Sequence, residues 1–69
     1  MNFNEQQFEI NNLEVELLNL GETREFLEDL KYAYLDQYFL NNVYDISKSM
    51  DGYYSHLLLH KEIYRVEEK

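Results

Sequence analysis

The stretch FNEQQFEINNLEVELLNLG, residues 3–21, decides the fold. Its apolar residues Phe3, Ile10, Leu13, Leu17 and Leu20 are separated by 7, 3, 4 and 3 positions, which is one stripe along an α-helix, interrupted only by Gln6. A strand reading with period 2 runs through Phe8-Ile10 and Leu13-Val15-Leu17, but Asn11-Asn12 breaks it. Asn4 followed three positions later by Gln7 has the form of a capping box, and Gly21 stands where a left-handed residue would close the helix. A second helix is expected after Thr23, a fair N-cap, with Glu25 and Glu28 near its positive end. Leu27, Leu30, Tyr34 and Tyr38 form its first stripe, and Leu35, Phe39, Val43, Ile46 and Met50 a second one rotated from it. A helix with two apolar stripes has more sticky surface than one short neighbour covers. It must break near Asn41-Asn42 or pack against another chain. Asp51-Gly52 reads as a turn. Beyond it, Tyr53, Tyr54, Leu57, Leu58, Leu59, Ile63, Tyr64 and Val66 are apolar nearly all round, the pattern of a helix buried on most sides. The expected fold is therefore all-α, a single domain over residues 1–69 with about three helices, dimeric. The alternative is an α+β chain with a short C-terminal strand through Ile63-Tyr64-Arg65-Val66.

Sixty-nine residues make one domain at most, and a domain of this size buries only roughly 60% of its unfolded surface. Neither a disulfide nor a thiolate metal site can help, because cysteine is absent, and nothing marks an oxidising compartment. Apolar residues are 45% of the chain, with seven Tyr and four Phe. So small a body cannot hide that many, and Tyr enrichment is typical of interfaces, so a homodimer is expected. The first residues are neither basic nor followed by an apolar core, and the longest apolar run is Tyr32 to Leu35. No leader and no membrane span are expected. The expected location is cytoplasmic, the host cytoplasm if the protein is viral.

Charge gives the second bound. Fourteen acids against six bases leave −8, which argues against direct binding to nucleic acid or to an anionic membrane. The imbalance is concentrated: residues 1–30 hold eight acids and one base, a net of −7, and residues 31–69 hold six acids and five bases, a net of −1. Glu5, Glu9 and Glu16 share a helical face, expected opposite the Leu stripe. Their carboxylates step about 6 Å and then about 10 Å along the axis. Glu22, Glu25, Asp29 and Asp36 repeat at 3, 4 and 7 on a face of the next segment. Two such rows could present a field like that of a DNA strand to a basic channel. Acidic rows are also what any solvated amphipathic helix shows.

No catalytic constellation emerges. His56 and His60 stand four apart, within chelating reach on a helix, but two ligands do not make a metal site. Ser55 and His56 are neighbours that cannot face each other on a helix, and Gly21 and Gly52 are isolated, so there is no phosphate loop. A chain this short can hardly wall a ligand-sized pocket. No enzyme activity, no cofactor and no metal are expected. Among the tyrosines, Tyr32, Tyr44 and Tyr53 lie off the main stripes and are expected to be exposed, where they can anchor a protein contact.

In size, acidity, missing cysteine and aromatic content the chain resembles the small early proteins of bacterial viruses. These include DNA mimics that block sliding clamps, polymerases, nucleases or CRISPR effectors. The resemblance is one of general character and matches no motif residue by residue. Gln37-Tyr38-Phe39-Leu40 loosely echoes the Gln-x-x-Leu core of clamp-binding peptides, but Asn41 stands where an aromatic would follow. The resemblance implies an inhibitor of a host DNA-binding protein, for which a clamp, with its wide basic channel, suits a small acidic body. The contact residues would be Glu5, Glu9, Glu16, Glu22, Glu25, Asp29 and Asp36, with Tyr32, Tyr44 and Tyr53. The alternative function is a small helical regulatory adaptor acting through an apolar, Tyr-rich interface, for which the charge serves only solubility.

Overall fold

Helix α1 (Phe3–Leu20) is closed at both ends by its own sequence. Its N-cap is Asn2, whose Oδ1 accepts the Glu5 amide at 2.9 Å, so the cap lies two residues before the Asn4/Gln7 pair expected from the sequence. At the other end Gly21 adopts φ 114°, a left-handed conformation that glycine accepts without a Cβ penalty. The Gly21 amide donates to Leu18 O at 3.1 Å and the Glu22 amide to Leu17 O at 2.9 Å, which completes a Schellman closure. Thr23 then opens α2 (Arg24–Asn41) by accepting the Phe26 amide on Oγ1 at 3.1 Å. The third helix, α3, runs from Ile46 to Glu67.

This computed structural model describes residues 2–41 and 46–67. The side chains of Phe3, Gln37, Tyr38, Asn41, Val66 and Glu67 lie outside that description. The fold is all-helical. Ile63 to Val66 continue α3, so the alternative with a C-terminal strand does not hold. The apolar pattern over residues 27–50 is divided as the first of its two options required, with α2 ending at Asn41 and α3 starting at Ile46.

Helix α3 packs against both α1 and α2, and its side chains form the middle of the core. Ile10, Leu13 and Leu17 of α1 and Leu27 of α2 close around Met50, Tyr53 and Leu57. Gln6 takes the polar place in the α1 stripe. It is buried, and its Nε2 donates to Ser47 O at 2.8 Å and also to Asp51. Ser47 Oγ returns a bond to Gln6 Oε1 at 3.3 Å. A buried amide satisfied in this way ties the start of α1 to the start of α3 without an orphan donor.

Two expectations about the second half need correction. Asp51-Gly52 is not a turn: both residues lie inside α3. Gly52 is there because Tyr34 of α2 crosses it so closely that a Cβ would stand 2.7 Å from the ring Cε1. Nor is α3 buried on most sides. With helices on only two flanks it buries one face, and Leu58, Leu59 and Ile63 are exposed.

Candidate partner-binding surface

The core row of α1 (Gln6, Ile10, Leu13, Leu17) is the helical reference for its acids. Glu5, Glu9 and Glu16 each stand near that row displaced by one residue, about 100° round the helix. They therefore flank the core and do not oppose it, contrary to the sequence expectation. Accordingly Glu9 is half-buried and Glu16 forms an ion pair with Lys61 of α3, while Glu5 is exposed in the first turn. The face of α1 that does oppose the core carries Asn4, Phe8, Asn11 and Val15, an uncharged row in which Phe8 is 64% and Val15 55% exposed.

Helix α2 arranges its acids differently. Glu25, Asp29, Tyr32, Asp36 and Phe39 follow one another at steps of 4, 3, 4 and 3 along one face, and all five are exposed. This row runs about 21 Å at 1.5 Å per residue. Glu28 is exposed beside it. Tyr32 is 60% and Phe39 70% exposed, so two large rings stand among three carboxylates. Lys31, next to Tyr32 in sequence, is drawn elsewhere: it lies 3.3 Å from Glu14 of α1 and over the Tyr53 ring.

Two of the expected contact residues, Tyr53 and Glu22, do not belong to such a face. Tyr53 was expected to be exposed and is completely buried. Its position on α3 points into the gap between α1 and α2, where its hydroxyl donates to Glu14 Oε2 at 2.7 Å and approaches Leu27 O at 3.3 Å. Burial and the Glu14 carboxylate push the Tyr53 hydroxyl well above the ordinary tyrosine pKa. A residue so enclosed cannot touch a partner. Tyr44 lies outside the described residues. Glu22 sits in the turn between α1 and α2 and is held internally, apart from the α2 row. Its Oε2 accepts His60 Nε2 at 2.6 Å and Tyr64 OH at 3.0 Å, and its Oε1 accepts the Thr23 amide at 2.8 Å. Burial pushes the Glu22 carboxyl up. The bonds from His60, Thr23 and Tyr64 and the charge of His60 outweigh it, leaving the carboxyl below its ordinary 4.5.

The two histidines serve separate contacts. His56 Nδ1 lies 3.1 Å from Tyr34 OH, and His60 stacks on Phe26 with ring centroids 4.8 Å apart while bonding Glu22. Among the described residues no group of three or more His, Cys, Asp or Glu is placed to hold a metal ion, and no helix is long and apolar enough to cross a membrane. Sequence reasoning missed Glu14, whose partners come from two other helices, and the Phe8/Val15 row. The latter was visible in principle as an i, i+7 pair off the Leu stripe. No known protein family, curated protein or solved structure matches the chain.

Proposed function

We propose that the protein is a non-enzymatic inhibitor that occupies the DNA-contacting surface of another protein, with its acids in place of phosphates. The observation that carries this reading is the outward row of α2, where Glu25, Asp29 and Asp36 alternate with exposed Tyr32 and Phe39. Carboxylates at such steps supply long-range attraction to a basic surface, and rings between them supply short-range contact. Glu5 and Glu9 on α1 add to the field. A host DNA-handling protein with a basic channel, such as a sliding clamp, polymerase, nuclease or CRISPR effector, is the partner class. The test is a tagged pull-down from bacterial lysate with elution by rising salt or by duplex DNA. The captured protein should release under both, and Glu25→Gln/Asp29→Asn/Asp36→Asn should weaken capture and flatten its salt dependence. Capture unchanged between about 50 and 500 mM salt would refute electrostatic mimicry.

A second reading rests on α1. Its outward row of Phe8 and Val15 among asparagines suits a helical adaptor, or a homodimer, built on apolar contact. In that case Val15→Glu abolishes association and the α2 triple variant leaves it intact.

A further inference from the structure

Between α2 and α3 lies a depression of about 250 Å³ lined by Leu30, Ala33, Tyr34 and His56. Its α3 wall continues as apolar surface: Leu59 and Ile63, three and seven residues after His56, are exposed. Residues three, four and seven apart lie on one helical face, so this wall runs for two turns beyond the depression. It runs toward the start of α2, because the two helices are antiparallel, with Tyr34 meeting His56 and Phe26 meeting His60. The rim on α2 is acidic: Asp29 and Asp36 stand four before and three after Ala33, and both are exposed.

This combination selects its occupant. An open depression below the usual volume of small-molecule sites, with an apolar floor and few convergent polar groups, is poorly suited to a compact ligand. An apolar trough a few turns long between two helices takes the apolar stripe of a third helix. A second copy of this chain is disfavoured, because each copy carries −8 and would set its own acids against Asp29 and Asp36. We propose that the groove between α2 and α3 seats an amphipathic basic helix of the partner. Its apolar side chains rest on Leu30, Ala33 and Tyr34, and its Lys or Arg side chains reach Asp29 and Asp36. The inference builds on the reading that the partner surface is basic, and it adds the mode of docking.

The probes are three synthetic peptides of about 18 residues, long enough to hold a helix. One has Leu at helical spacing with Lys elsewhere, one replaces every Leu by Gln, and one replaces every Lys by Glu. Binding is followed by fluorescence anisotropy and by amide chemical shifts of the labelled protein. The Leu/Lys peptide should bind and move the amides of residues 30–36 and 56–63, with the other two peptides at least roughly tenfold weaker. Ala33→Trp fills the groove from an exposed position and should weaken binding by a similar factor. Ala33→Gln, with less bulk, should act in the same direction. Asp29→Asn/Asp36→Asn should weaken binding severalfold and reduce its salt dependence.

Equal binding of the Gln/Lys peptide, or no effect of either Ala33 variant, would overturn the groove and leave the acidic-face reading standing. Binding in the groove that ignores salt and the Asp variants would overturn the basic partner and that reading together. A dimer of the protein alone that Ala33→Trp dissociates would assign the groove to a second copy and overturn the proposal.

Discussion

Gly52→Ala sets two opposing effects against each other at one position. Gly52 lies within α3 and is not in the left-handed region. On helix propensity alone, alanine there is better by about 0.8–1.0 kcal/mol. Against that, the new Cβ would stand 2.7 Å from Cε1 and 3.0 Å from Cδ1 of Tyr34, whereas carbon atoms rest at about 3.5–4.0 Å. The ring must retreat by most of an ångström, and it is held at its far end. Its hydroxyl pairs with His56 Nδ1 at 3.1 Å, and its face tilts on Tyr53 at 6.3 Å between centroids. Overpacking of this kind costs about 1–3 kcal/mol. The net expectation is a loss of about 1 kcal/mol, or about 4–8 °C in Tm for a domain of this size. Urea unfolding followed by far-ultraviolet circular dichroism measures it. The decisive step is the double-mutant cycle. In a Tyr34→Ala background the clash is gone, so Gly52→Ala should stabilise by about 1 kcal/mol, leaving propensity alone. If Gly52→Ala stabilises the wild-type chain by that same amount, the close approach of α2 to α3 is not what keeps glycine at this position.

Three further outcomes follow from the internal hydrogen bonds. Glu22 has a lowered pKa in the folded chain, so its contribution is present above its unfolded value near 4.5 and is lost as pH falls through the folded value; Glu22→Gln should be less stable at neutral pH, with the gap closing in acid-unfolding curves. Tyr53 has a raised pKa, so its contribution is complete below the ordinary tyrosine pKa and is lost as pH rises through the folded value; in an ultraviolet titration one tyrosine should ionise only as the fold is lost, and Tyr53→Phe should remove that behaviour at a cost of about 1.5–3 kcal/mol for a bond to a charged acceptor. Gln6→Ala removes the buried amide that binds Ser47 and Asp51; a loss of about 2 kcal/mol is expected, with hydrogen exchange speeding up at the start of α3.

What the sequence made legible was what one helix decides alone. The stripe through Ile10, Leu13 and Leu17, the closure at Gly21, the Thr23 cap and the acidic outward row of α2 all depend on local chemistry and on the period of their own helix. Each of the first three is found where the spacing put it, and Glu25, Asp29, Tyr32 and Asp36 are exposed as their period requires. Two misreadings, the N-cap at Asn2 and the flanking place of Glu5, Glu9 and Glu16, lie within α1 itself; the others concern residues whose roles are set by another helix. Asp51-Gly52 has the composition of a turn, and only the approach of Tyr34 from α2 explains a glycine in mid-helix. Tyr53 stands on the core stripe of α3, three after Met50 and four before Leu57, a stripe hidden when Asp51-Gly52 is read as a turn, and it reaches Glu14 on α1 and the Leu27 carbonyl on α2. Glu22 continued an acidic row on paper, yet the Gly21 closure takes it out of both helices and delivers it to His60 and Tyr64. An acid's position in a helical row therefore says which way it points, whereas its availability to a partner depends on the cations and donors of the neighbouring helices. Glu14, Glu16 and Glu22 are each engaged by α2 or α3 side chains. That sorting leaves the outward row of α2, more than the acidic residues as a whole, to answer for the protein's charge in any contact it makes.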